Sequence, residues 1–213
     1  MKTMLSDLRI NSIGLAMALG LASTLAVGTV HAAPEVDAPA PEFSGLTTSG
    51  ETVSLADLKG KTVVLEWTNH DCPYVRKHYG SNNMQALQKE TTADGVVWLS
   101  VISSAPGTQG YVEAAEADEL TASRDASPTA VILDPEGTIG KAYAARTTPH
   151  MYVIDPDGVL RYKGGIDDKP SSSKSSIEGA YNYVRAALAD MVAGNAIADP
   201  VTRPYGCSVK YQS

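Results

Sequence analysis

Thr62-Val-Val-Leu-Glu-Trp-Thr-Asn-His-Asp-Cys-Pro-Tyr-Val-Arg-Lys-His-Tyr79 changes character around Cys72. The run Thr62–Trp67 is apolar on consecutive positions, the mark of a strand covered on both faces in a parallel sheet. A polar turn follows, and Pro73 then stands where a helix can begin, because the first helical turn has no use for the N–H that proline lacks. Cys72 is thereby placed at the head of a helix, where unpaired N–H groups and the helix dipole favour negative charge. The stretch predicts strand, turn and helix with a thiol at the junction, and the thiolate is the nucleophilic form of cysteine.

Upstream, Phe43–Gly60 reads as a short hairpin turning near Ser49-Gly50 and closed by one helical turn. The Pro/Ala-rich segment Ala33–Pro41 before it is expected to be an exposed linker. Downstream, the helix should break at Gly80-Ser-Asn-Asn83, with Asn82 or Asn83 capping a second piece. Gly95–Ile102 and Thr129–Leu133 read as further buried strands, separated by a loop and the acidic helix Glu113–Arg124. Ile139–Ala145 is a short helix, and Met151–Ile154 with Val159–Lys163 forms a hairpin about Asp155-Pro-Asp-Gly158. For the last helix, Ser175-x-x-Glu178 has the form of a capping box. Ile177, Tyr181, Val184, Leu188 and Met191 recur at helical spacing, and Gly194 ends it. The order implies an α/β domain over residues 33–195, a mixed central sheet flanked by helices with an N-terminal β-hairpin. Residues 196–213 are a C-terminal tail carrying Cys207.

Residues 1–32 read as a signal peptide: Lys2 and Arg9 precede the apolar run Ile13–Val30, and Val30-His-Ala32 offers small residues for cleavage. That reading implies a periplasmic or secreted protein with no stable membrane insertion after cleavage. Cleavage removes Lys2, Arg9 and Asp7 and turns the net charge of −7 into −8. An acidic chain without a Lys/Arg cluster is not built for nucleic acid. Cys72 and Cys207 would both meet an oxidising compartment, where a structural disulfide is common. Thirteen residues separate Cys207 from Gly194, a reach of roughly 40 Å when extended, enough to return to Cys72. A resolving cysteine, a permanent bridge and a free tail thiol all stay open on the spacing alone.

Val63-Val-Leu-Glu-Trp-Thr-Asn-His-Asp-Cys-Pro-Tyr-Val-Arg-Lys77 resembles the strand-to-active-site segment of exported thioredoxin-like proteins of the TlpA type. It is also similar to the wider redoxin group, the alkyl hydroperoxide reductase/thiol-specific antioxidant (AhpC/TSA) superfamily. Ala40-Pro-Glu-Phe43 with Val53-Ser-Leu-Ala-Asp-Leu-Lys-Gly-Lys61 is similar to the redoxin N-terminal hairpin. Thr148-Pro-His-Met-Tyr-Val-Ile-Asp-Pro-Asp-Gly158 resembles the segment that carries the family's cis-proline. The resemblance implies a thioredoxin-like fold with Cys72 as nucleophile, Glu66 as the buried carboxylate beneath it and Pro149 as the cis-proline against the sulfur. Two departures accompany it. Val75 stands where the family's second cysteine would be, three residues after the first. Asn69 and Pro149 stand where peroxiredoxins keep Thr and Arg.

The expected activity is therefore a thiol oxidoreductase without a cofactor, using Cys72 on a small peroxide or a protein disulfide. Cys207 is the resolving cysteine, Glu66 a proton acceptor or relay, and an external thiol the reductant. The competing expectation is a non-catalytic copper-binding module in which His70, Cys72 and His150 form a soft metal site.

Overall fold

A computed structural model describes residues 33–212, so the proposed leader lies outside the described residues. β1 (Ser44–Thr47) and β2 (Thr52–Ser54) form the N-terminal hairpin. β3 (Val63–Trp67) leads into α1 (Pro73–Gly80) and α2 (Asn83–Ala93), and β4 (Val97–Ile102) into α3 (Ala114–Ser123). β5 (Ala130–Leu133), α4 (Thr138–Ala142), the two-residue β6 (Thr147–Thr148), β7 (His150–Ile154) and β8 (Leu160–Gly164) follow. α5 (Tyr183–Ala193) and β9 (Cys207–Ser208) complete the chain.

Seven strands make one mixed sheet in the order β2-β1-β5-β4-β3-β7-β8. β3, β4 and β5 run parallel, while β7 pairs antiparallel with β3, Trp67 opposite His150. Every residue of β3 is buried. Val63, Leu65 and Trp67 pack on one face with Leu99, Val101 and Tyr152, and Val64 packs on the other with Trp98, Met151 and Val153. A period of two thus serves two cores, which is why the run shows no polar alternation.

The helical break comes where expected. Asn82 takes a left-handed conformation (φ 60°) at the head of α2, though its side chain makes no capping bond. The start of α5 differs from the capping-box reading. Lys174–Ile177 is a single 3-10 turn, Gly179 adopts φ +69°, and the helix begins only after Asn182. Asn182 Oδ1 accepts from Arg185 N at 2.9 Å, so this asparagine is the cap, and Gly194 (φ 71°) closes the helix. Asn182→Ala is expected to destabilise the protein by about 1 kcal/mol, measurable as a lowered urea midpoint, whereas Ser175→Ala should leave the midpoint unchanged.

Residues 33–41 are not the free linker that their composition suggests. Asp37 N donates to Leu160 O, Leu160 N to Ala38 O and Ala40 N to Gly158 O, so the segment lies along the β8 hairpin. The tail is ordered by the same means. Lys163 N donates to Pro200 O and Thr202 N to Lys163 O, then β9 pairs antiparallel with β6. Ala105 N donates to Lys210 O, and Tyr211 OH to Ala145 O at 2.7 Å. These bonds carry the chain across the end of the sheet where α1 begins.

Candidate active site

The turn between β3 and α1 is shaped by Asn69. Its carbonyl accepts from Cys72 N (3.1 Å), its Oδ1 from Asp71 N (2.9 Å), and its Nδ2 donates to Gln109 O (3.1 Å). Cys72 rather than Asp71 occupies the N-cap position of α1. Asp71 instead pairs with Arg76 Nη2 at 2.7 Å.

Cys72 is fully buried. Its Sγ donates to Thr148 O at 3.0 Å and receives the Cys207 N–H at 3.4 Å. The Thr148–Pro149 peptide is cis, and β6, whose last residue is Thr148, is the strand to which the tail adds β9. Three of the four expected residues, Cys72, Pro149 and Cys207, are therefore gathered at one point. The second sulfur comes from the tail rather than from the next helical turn, where Val75 packs in the core. Both cysteines are free thiols.

The two sulfurs are unequal. Burial raises the Cys72 pKa, but the Cys207 thiol, the Val75 and Cys207 N–H groups and the Thr148 side chain outweigh it, and the net value falls below the ordinary thiol range. Burial, the bond to Cys72 and the Cys72 charge push Cys207 up to about 11. Cys72 therefore ionises first and Cys207 keeps its proton, which it can donate to the Cys72 thiolate.

Glu66 sits on β3 beneath the site, fully buried, away from both sulfurs in hydrogen-bonding terms. Its Oε1 accepts from Tyr79 OH (2.9 Å). Its Oε2 accepts from Trp98 Nε1 (2.9 Å), Gln88 Nε2 (3.1 Å) and Ser100 Oγ (3.1 Å). Burial raises its pKa despite the bonds from Trp98, Tyr79 and Ser100 that lower it.

The copper arrangement is not formed. Among the described residues no group of three or more His, Cys, Asp and Glu side chains is placed to hold a metal ion. His150 lies on the β7 face it shares with Tyr152, its ring 4.6 Å from the tyrosine's, and Cys72 packs with Met151 and Val153 on the other. The strand's period of two separates them. Burial, then Arg146 and Lys163, bring His150 down to about 3.

A second buried cluster next to the thiols escaped the sequence reading. Lys77 and His78 on α1, Asp167 after β8 and Tyr205 in the tail meet with almost no exposure of the first three. No periodicity marks them, because the hydrogen bonds join positions 38 to 128 residues apart.

Comparison with known proteins places this geometry. Residues 36–163 match the AhpC/TSA family. The thioredoxin-like protein YneN of Bacillus subtilis (strain 168) is 34% identical over 143 residues, 65% of this chain and 78% of its own length. A conserved protein of Geobacillus kaustophilus superposes with a TM-score of 0.70 at 23% identity, covering 84% of this chain and 93% of its own. A Chlorobium tepidum protein described as a thiol:disulfide interchange protein of the DsbE kind gives 0.50 at 22% identity, over 62% and 85% of the two chains. At these identities the two structures speak for the fold. A cysteine at a strand-to-helix junction, its sulfur bonded to the carbonyl of the residue that precedes a cis-proline, and a family match over residues 36–163 point the same way: the chain belongs to the AhpC/TSA family, with a thioredoxin-like fold.

Proposed function

We propose that this protein is an exported thiol oxidoreductase that cycles between the dithiol and a Cys72–Cys207 disulfide, with a small peroxide as oxidant. The observation that carries the reading is the docking of the tail on a fully buried Cys72, whose sulfur accepts the Cys207 backbone N–H at 3.4 Å; the lowered pKa of Cys72 and the raised one of Cys207 are consistent with it. Export is argued from the Lys2/Arg9 and apolar pattern of residues 1–32.

The chemistry runs in two steps. The Cys72 thiolate attacks a peroxide oxygen, an S–O bond forming as O–O breaks, and the departing oxygen leaves as water or alcohol after taking a proton. Cys207 then gives up its proton, and its sulfur displaces hydroxide from the Cys72 sulfenic acid, S–S forming as S–O breaks and water leaving. An external thiol reduces the bridge by exchange. Thr148 holds the Cys72 sulfur through its carbonyl and the Cys207 backbone through the β6–β9 pairing. Glu66 makes no hydrogen bond to either sulfur, so the cycle is assigned to the two cysteines. Burial of Cys72 under the tail favours a small oxidant over a folded protein.

Mass spectrometry after a brief peroxide pulse tests this. Wild type is expected to lose two hydrogens as the Cys72–Cys207 bridge, and Cys207→Ser to gain one oxygen on Cys72, trapped by dimedone. Unmodified cysteines in both forms would remove the peroxide step. A second reading, attack on a protein disulfide, is favoured by one observation: β6 already accepts an added strand, the way sheet edges take extended partners. It predicts a mixed disulfide on Cys72 that accumulates in Cys207→Ser.

A further inference from the structure

The four-residue cluster beside the thiols is joined by hydrogen bonds that fix the direction of each donor, with Asp167 Oδ2 alone left without one. Tyr205 OH donates to Asp167 Oδ1, which also receives Lys169 N at 2.9 Å. Having spent its proton there, the phenol oxygen can only accept, and it does so twice: from Lys77 Nζ at 3.2 Å and from His78 Nε2 at 3.3 Å. His78 therefore carries its proton on Nε2. Its Nδ1 is left to accept from Asn83 Nδ2 at 2.8 Å, which fits a neutral ring. Burial and the neighbouring Lys77 hold that ring neutral, at about 3. Lys77 Nζ also donates to Lys169 O at 3.0 Å, stands 3.6 Å from Asp167 Oδ2 as an ion pair without a hydrogen bond, and lies 5.2 Å from the Tyr205 ring centroid. The same ring meets Tyr74, the second residue of α1, edge to face with centroids 5.8 Å apart.

Only Tyr205 in this cluster belongs to the tail, and Cys207 follows it by two residues. The remaining members stand on α1, the helix that Cys72 heads, and on the loop after β8. A buried lysine and aspartate lose much solvation. The tail residue that joins them by a phenol is thus tied to the helix bearing the nucleophile by bonds that no water can replace cheaply.

We propose that Tyr205, bound between Lys77 and Asp167, is a positioning residue that holds Cys207 in register with Cys72 and so sets how readily the two sulfurs close into a disulfide. This rests on the Cys72–Cys207 cycle proposed above. Tyr205 makes no hydrogen bond to either sulfur. It acts through the two-residue link Gly206-Cys207, and the closure itself needs only the two thiols and their oxidant.

The test is the equilibrium of the couple in buffers of reduced and oxidised glutathione, read by alkylation and mass. In these buffers Cys72 takes one glutathionyl group, releasing one reduced glutathione, and Cys207 then displaces the second. Tyr205→Phe keeps the ring and its contact with Tyr74 while deleting the hydroxyl. It is expected to lower the constant for closing the bridge by about tenfold, a potential change of about 30 mV, with glutathionyl-Cys72 appearing as a populated species. Lys77→Met, which removes the ammonium and keeps the stem, is expected to move the constant in the same direction and covers the case in which Tyr205→Phe does not fold. A lower melting temperature with an unchanged constant in a folded variant would overturn the positioning role and leave the cycle standing. If wild type itself forms no intramolecular bridge in these buffers, it is the cycle that fails.

Discussion

Gly206→Ala is expected to slow formation of the Cys72–Cys207 disulfide by roughly 10- to 100-fold while the domain stays folded. Residue 206 has φ +141°, a conformation that side-chain-bearing residues rarely adopt, and an added Cβ would lie 2.7 Å from the Thr148 carbonyl carbon and 3.3 Å from Pro149 N. Those are backbone atoms beside the wall of the site, so nothing can swing aside. Forcing extra atoms into a packed site costs about 1–3 kcal/mol, and each 1.4 kcal/mol is about a factor of ten in an equilibrium. The cheapest relief is for the tail to lift from β6, which carries Cys207 away from Cys72. The same movement uncovers the Cys72 sulfur, so iodoacetamide should label Cys72 faster in Gly206→Ala than in wild type even as bridge formation slows. Rapid acid quench after a peroxide pulse, followed by alkylation and mass analysis, measures both. Unchanged closure and unchanged labelling together would mean that docking of the tail at Gly206 does not govern the encounter of the thiols.

The sheet and the place of Cys72 within it were legible because they depend on local pattern. An unbroken apolar β3, Pro73 at a helix start and Asp155-Pro-Asp-Gly158 at a hairpin each act within a few residues. The start of α5 was misplaced for the opposite reason. Ser175-x-x-Glu178 has the capping-box spacing, yet the left-handed Gly179 interrupts the chain, and Asn182 caps at a position that a periodicity argument passes over. The tail was the least legible part. Its composition looks like a linker, and nothing in Pro204-Tyr-Gly-Cys207 announces that Tyr205 meets Lys77 across the molecule or that Gly206 lies against Thr148. Chain length allowed Cys207 to reach Cys72, but only the fold shows the strand pairing that brings it there. His150 shows the limit of reasoning from adjacency. Next to Pro149 in sequence, it lies across the sheet from the sulfur because neighbouring strand residues face opposite ways.

Glu66 offers the second large effect, and its sign runs against the common behaviour of carboxylates. Its pKa is raised in the folded protein, chiefly by burial, so the native chain holds a proton that the unfolded chain has already released. Stability from this group is complete below the ordinary carboxyl value of 4.5 and is lost as pH climbs from there through the raised value. Glu66→Gln should remove that slope at little cost. The carboxamide oxygen, placed at Oε2, keeps the donors Trp98, Gln88 and Ser100, and the amide nitrogen, placed at Oε1, finds the Tyr79 oxygen as acceptor. A protonated Glu66 makes the same pattern. Glu66→Ala is different, because Trp98 Nε1 is a fixed donor left without an acceptor in the core, while Gln88 Nε2 keeps only its bond to the Tyr79 oxygen. It should cost about 3 kcal/mol, a fall of roughly 10 °C in melting temperature for a domain of this size. Urea unfolding of the three proteins across the acid-to-neutral range separates these cases. The difference between wild type and the Gln variant should fall with rising pH, and the Ala variant should lie well below both. Parallel curves for wild type and Gln would show that Glu66 titrates alike folded and unfolded, so that the four donors around it compensate its burial in full.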